Sequence, residues 1–216
     1  GAIFVNRSAT GRLAGDDDYN RSYAVDGRYG IGQKGTVSGF AAQTETPGVR
    51  GDTHAYALSA NYDSEQYELL AGFTQVGPNF NPEIGFYSRR GYDRVDGSIQ
   101  TAFRPDNSWS VHELRPHTRR YTIWNYHTGQ IETQYTHIDN HTEWRSGYEI
   151  HTGTNLTKEG VLEPFQIFPG VVVPAGSYDH AEAQLVLMTN RGAPVSLQIR
   201  SVIGGFFGGD RVQVGP

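Results

Sequence analysis

Residues 120–152 read RYTIWNYHTGQIETQYTHIDNHTEWRSGYEIHT. Three successive segments alternate with a period of two, the pattern of strands whose neighbouring side chains point to opposite faces. Thr122, Trp124 and Tyr126 share a face in the first; Ile131, Thr133, Tyr135 and His137 in the second; Thr142, Trp144, Ser146, Tyr148 and Ile150 in the third. The other face of the third carries Glu143, Arg145, Glu149 and His151, so one side is aromatic and the other charged. The connectors His127-Thr128-Gly129-Gln130 and Asp139-Asn140-His141 are short and rich in turn formers. They predict antiparallel hairpins.

The same rhythm extends outward in both directions. Residues 2–5, the glycine-rich run 21–40, and residues 53–62, 66–75, 95–103, 109–113, 181–189 and 195–203 read as strand segments, with Val212 and Val214 starting a last one. Turn formers punctuate them at 63–65, 104–107, 153–155 and 190–192, while residues 204–209 read as loose. Residues 162–178, LEPFQIFPGVVVPAGSY, are the most apolar stretch, and prolines 164, 169 and 174 point to an edge or surface-lying strand. Residues 76–94, VGPNFNPEIGFYSRRGYDR, read as a structured loop folding back onto the sheet, with Phe80, Ile84 and Phe86 as apolar anchors. The fold expected is all-β: an antiparallel up-and-down meander of roughly ten strands, a complete or partial barrel, in one domain spanning residues 1–216.

Composition sets limits on function. The chain has 216 residues, 27 Gly, 13 Tyr, 10 Phe and no Cys, which removes disulfides, thiolate metal sites and cysteine nucleophiles. Its net charge of −5 comes with both signs scattered, so the concentrated basic face that nucleic acid requires is missing, and no nucleic-acid partner is expected. No run of about 18 apolar residues marks a membrane helix, but barrel strands need only about 10 alternating residues each. Gly1 is not an initiator Met and residues 2–5 read as a strand already in progress, so the chain reads as part of a longer precursor.

Few motifs carry chemistry. Gly15 to Asn20, with Asp16, Asp17 and Asp18, lacks the ligand spacing of a calcium loop and reads as a solvated turn. Gly30-Ile31-Gly32 with Gly35 opens like a dinucleotide fingerprint, but no helical segment follows. His137-x-Asp139-x-His141 is the best metal cluster. Zinc needs three or four converging ligands, and His141 falls past a turn residue in this reading. No metal or other cofactor is therefore assigned, and His137, Asp139 and His141 stay as candidates beside the simpler reading of a wet polar face. Glu143 and Glu149, six residues apart on one strand, would be about 20 Å apart, too far for a glycosidase pair. No G-x-S-x-G element supports a serine triad, so no catalytic residue is assigned. Arg89-Arg90 can hold an anionic group by bidentate contacts or simply be salt-bridged in its loop. With them, Trp124, Tyr126, Trp144 and Tyr148 are the candidate contacts to a ligand or partner.

The run Phe73-Thr74-Gln75-Val76-Gly77-Pro78-Asn79-Phe80-Asn81-Pro82-Glu83-Ile84-Gly85-Phe86, followed by Arg89-Arg90, resembles an uncharacterised family of large bacterial envelope proteins. In these, a carbohydrate-binding module of the family-nine type precedes an outer-membrane β-barrel. Val25-Asp26-Gly27-Arg28-Tyr29-Gly30, Gly39-Phe40, Gln43-Thr44 and the opening Gly1-Ala2-Ile3-Phe4-Val5-Asn6-Arg7 are similar to the same family. The likeness covers most of the chain and only the barrel portion. It supplies no catalytic residues. The carbohydrate-binding module has no counterpart here, and the chain ends Val212-Gln213-Val214-Gly215-Pro216 without the terminal aromatic usual in such barrels. The resemblance implies a non-enzymatic envelope barrel protein, associated with carbohydrate. Two other readings stand beside it: a water-exposed periplasmic accessory subunit docked on other envelope or membrane chains, and a glycan-active enzyme. The mean hydropathy of −0.54 favours the accessory subunit over the barrel.

Overall fold

A computed structural model of the chain describes residues 1–12, 15, 17–85, 87–106 and 109–216. The readings placed on Asp16, Phe86 and Asn107 lie outside the described residues. Among the described residues there are strands and turns but no α-helix. The strands are β1 (Ala2–Ser8), β2 (Tyr19–Ile31), β3 (Gly35–Glu45), β4 (His54–Asp63), β5 (Tyr67–Val76), β6 (Tyr92–Thr101) and β7 (Val111–Asn125). They continue with β8 (Ile131–Trp144), β9 (Glu149–Val161), β10 (Phe165–Phe168), β11 (Val171–Val173), β12 (Gly176–Met188), β13 (Gln198–Phe206) and β14 (Gly209–Gly215). Twelve of them form one meander sheet in the order β1-β2-β3-β4-β5-β6-β7-β8-β9-β12-β13-β14, and β10 pairs only with β11.

The all-β antiparallel expectation holds, while the strand count and the barrel do not. Fourteen strands replace roughly ten. The run at 21–40 bends at Gly32, whose φ of 60° suits a residue without Cβ, and so supplies both β2 and β3. The proline-rich stretch at 162–178 forms its own small hairpin before β12 begins. Among the described residues β1 pairs only with β2 and β14 only with β13, so the sheet is not closed into a barrel.

Two turn assignments and one segment read as loose also shift. Asp139, Asn140 and His141 lie inside β8, and Thr154 and Asn155 lie inside β9 with Gly153. The turn falls instead at residues 145–148, where Gly147 takes a φ of 83° and its N–H donates to Trp144 O. The expected strand at 142–150 is thus two strands folded on each other, with Glu143 directly opposite Glu149. Residues 204–209 are the paired ends of β13 and β14 around a tight turn, because Gly204 to Phe206 keep their ladder partners Arg211 to Gly209.

Contacts group the chain into two compact units. One comprises Gly1–Tyr62, Ala71–Val95 and Ile123–Gln130. In it, register places Phe4, Tyr23, Val25, Tyr29, Ala41, Tyr56, Leu58, Ala60 and Tyr62 on one face, which is exposed. The opposite face carries Arg7, Asn20, Ser22, Thr44, Ala55 and Ser59, which are buried or half-buried, and farther along Ile3, Asp26 and Arg28, which are exposed. The loop after β5 covers that second face through Phe80, as expected, but Ile84, read as a second anchor, is 62% exposed, and Phe86 lies outside the described residues. Val76 and Phe80 bury against Ala55, with Phe40, Ala42, Tyr87 and Tyr92 packed around them. Polar groups fix the loop's register: Asn20 Nδ2 donates to Asn81 O at 2.8 Å, Asn81 N–H to Thr44 Oγ1 at 2.9 Å, and Arg7 pairs with Glu83 at 2.6 Å.

The second unit comprises Asp63–Leu70, Asp96–Thr122 and Ile131–Pro216. Here β8, β9, β12, β13 and β14 pair through long ladders that sort the residues by polarity. One face exposes Ile138, Leu156, Ala181, Ala183, Leu185, Leu187, Ile203, Val212 and Val214. The other buries Asp139, Asn155, His180 and Glu182 with Val186, Met188 and Val202. Buried polar groups need partners. Glu182 takes two donors from Arg211 at 2.9 and 2.6 Å, and Asn155 Oδ1 accepts from Tyr135 Oη at 2.8 Å.

Candidate functional site

Alternation along β7, β8 and β9 brings a set of ionisable side chains onto the polar face of the second unit. Register sets His137, Asp139, His141 and Glu143 of β8 opposite Asn155, Gly153, His151 and Glu149 of β9. Glu113, Arg115 and His117 project from β7 into the same group. Asp139 is the centre: its side chain is 1% exposed, with His137 Nε2 at 3.3 Å and His141 Nε2 at 3.7 Å from Oδ2. Gly153 makes the space for it. A Cβ there would stand 2.9 Å from Asp139 Cγ, closer than real side chains approach.

The imidazoles are packed against one another and held from behind. His141 and His151 stack with ring centres 3.4 Å apart, while His117 lies 4.8 Å from His141 and 5.3 Å from His137. His137 Nδ1 lies 2.6 Å from Asn155 Oδ1, His117 Nδ1 3.2 Å from Arg115 O, and His151 Nε2 2.7 Å from Glu149 Oε1. Arg115 Nη2 donates to Glu149 Oε1 at 2.6 Å and reaches Glu143 Oε2 at 3.6 Å, and its Nη1 lies 3.6 Å from Glu113 Oε1. Glu113, only 7% exposed, also pairs with Arg104 Nε at 2.7 Å. Beside this network a cavity of about 600 Å³ is lined by Gln100, Arg115, His141, Glu143, Glu149 and Asn190 among others.

The residues singled out in the sequence fare unequally. His137, Asp139 and His141 come together, and with them come His117 and His151, which sequence reasoning did not include. The signal was present: period-two alternation runs unbroken from Thr133 through His137, Asp139 and His141 to Glu143. Glu143 and Glu149 are cross-strand partners, about 5 Å apart at Cα rather than about 20 Å, because the hairpin turn falls between them. Arg115 ties both carboxylates. Arg90 Nη2 donates to Asn81 Oδ1 at 2.7 Å within its own loop, and Arg89 lies over the Tyr92 ring at 5.6 Å. Tyr126 donates its hydroxyl to Asp52 Oδ1 at 2.9 Å. Trp124 is half-buried near the end of β7. Trp144 and Tyr148 flank the β8–β9 turn, with Trp144 N–H donating to Tyr148 O, and Tyr148 is exposed.

No protein-family model matches this chain, and neither a curated protein nor a solved structure matches it.

Proposed function

We propose that the chain is a non-enzymatic sheet of a bacterial envelope protein of the outer-membrane barrel type, with its apolar face in lipid and its polar face toward a hydrated interior. The observation that carries this reading is the inverted polarity of the strands. The exposed faces carry Tyr23, Val25, Leu58, Ile138, Leu185 and Ile203, while the opposite faces bury Asn20, Thr44, Asp139, Asn155 and Glu182 beside the apolar Ala55, Val186, Met188 and Val202, a share of buried polar groups unusual for a water-soluble sheet packed on its own core. In the first unit the exposed face is also banded. Tyr23 and Tyr56 stand in adjacent rows near one end of β2 and β4 and Tyr29 and Tyr62 in adjacent rows near the other; Val25 and Ala41 are level with Tyr56, Ala60 with Tyr29, and Leu58 lies in the row between. Each tyrosine pair is six residues apart, about 20 Å along a strand, close to the apolar band of such barrels with its flanking aromatic girdles.

Association with carbohydrate is the functional part of the proposal; the Glu, Gln, His, Asn and Arg of the polar face are the groups that would meet it. A second reading is favoured by the unpaired edges of β1 and β14, which present free backbone groups. On that reading, the chain is a periplasmic accessory subunit whose apolar face is covered by other envelope chains. Folding the chain with and without detergent separates the two. β-type circular dichroism only in detergent or vesicles supports the lipid-facing sheet, and a folded, water-soluble monomer overturns it.

A further inference from the structure

We infer that Asp139, His137 and His117 form a binding site for one divalent transition-metal ion of the zinc class. The inference does not depend on the lipid reading. Its starting point is an imbalance at Asp139: a carboxylate 1% exposed, neither of whose oxygens has a hydrogen-bond donor among the described residues. Leaving a buried carboxylate so unpaired is costly, and such groups are ordinarily paired or bound to metal.

The neighbouring imidazoles are arranged as ligands. Asn155 Oδ1 accepts from Tyr135 Oη and can only accept from His137, so the His137 proton sits on Nδ1. The Nε2 lone pair then faces Asp139 Oδ2 at 3.3 Å, two electron-rich atoms toward each other. A cation between them resolves this. Zinc bonds of about 2.0–2.1 Å to nitrogen and about 2.0–2.2 Å to oxygen, at a tetrahedral angle, hold the two ligand atoms about 3.3–3.5 Å apart. His117 supplies the third ligand, with its Nδ1 anchored on Arg115 O and Nε2 left for the ion. One ligand atom from each of His117, His137 and Asp139 lies within 4.8 Å of the others. The backing of each imidazole by Asn155 or a backbone carbonyl is the outer-shell support that metal-ligating histidines carry. His141 and His151 form a second triad with Asp139, but His141 Nε2 stands 3.7 Å from Asp139 Oδ2, outside the separation a tetrahedral zinc sets, so the first triad is the site.

The ion would join β7 to β8 at mid-strand. The test is zinc titration calorimetry on the full 216-residue chain, stripped with EDTA, in whichever medium gives a folded β spectrum. One ion per chain is expected, with affinity lost more than about 100-fold in Asp139→Asn and His137→Ala, beyond the 10–100-fold expected for the outer-shell variant Asn155→Ala. His151→Ala is expected to bind as the wild type does. Should the ligand variants misfold, Co²⁺ on the wild type still decides, since an N/O tetrahedral site gives an intense visible band. No zinc uptake by the folded chain at submillimolar metal, only an octahedral cobalt spectrum, or unchanged binding in Asp139→Asn would overturn the site. Zinc bound by a chain that folds without detergent would sink the lipid reading and leave the site standing.

Discussion

Leu58→Arg asks directly what solvent the exposed face of the first unit meets. Leu58 is 59% exposed and shares its face with Tyr56 and Tyr62, two and four residues away along β4. At strand rise these are about 7 Å and 13 Å, which puts Leu58 about 3 Å from the middle of the band. Little packing is lost on replacement, so the cost of arginine is set by what surrounds it. Near the hydrocarbon midplane that cost is about 2–4 kcal/mol. On a water-facing strand it is within about 0.5 kcal/mol. Reversible urea unfolding in phosphatidylcholine vesicles, followed by tryptophan fluorescence, measures the difference. Gln33→Arg, in the exposed turn between β2 and β3, is the control expected to change nothing. A Leu58→Arg stability within about 0.5 kcal/mol of the wild type would refute the reasoning.

Other consequences follow from particular contacts. Gly153→Ala drives a methyl into the Asp139 carboxyl and is expected to cost about 1–3 kcal/mol by overpacking, seen as a lower urea midpoint; a wild-type midpoint would mean that the cradle is not tight. Asn20→Ala removes donors to Thr46 Oγ1 and Asn81 O from a side chain that is fully buried, costing about 1–3 kcal/mol. Hydrogen exchange should then quicken at the Glu83 amide, which Asn20 caps, while the Asn81 amide, held by Thr44, stays protected. The Tyr126 phenol is raised above its ordinary pKa first by donating to Asp52 and then by desolvation. A folded value above the unfolded one means that this contribution is whole below about pH 10 and lost as pH rises through the folded value. Tyr126→Phe should therefore flatten the alkaline limb of stability, and an unchanged limb would dismiss the bond.

What the sequence disclosed was the local rhythm. Alternation and short turns predict the hairpins at residues 53–76 and the turn at Gly129, and the prolines at 164, 169 and 174 remove that stretch from the main sheet. The loop at 76–94 is legible through Phe80, which buries as an anchor should. The heart of the site was hidden because its strands are polar inside. Asp, Asn, His and Gly ordinarily mark turns, so Asp139-Asn140-His141 and Gly153-Thr154-Asn155 read as breaks. In fact Asp139 and Asn155 point inward from mid-strand, and Gly153 is small because the Asp139 carboxyl lies against it. The true turn holds only one glycine, Gly147, among residues that also fit a strand. Once that turn shifts, Glu143 and Glu149 meet instead of lying apart, and His151 comes beside His141.

The central claim, that one face of these strands meets lipid, is tested most directly by residue-by-residue accessibility. The chain has no cysteine, so single cysteines at each position from 56 to 62 can carry a nitroxide without background. In vesicles, relaxation by oxygen reports hydrocarbon and relaxation by a water-soluble nickel chelate reports water. Oxygen accessibility is expected to peak at positions 56, 58, 60 and 62 and to fall at 57, 59 and 61, with the chelate excluded from 58 and 60. Free access of the chelate to 58 and 60 would contradict it and leave the face to water or to a protein partner.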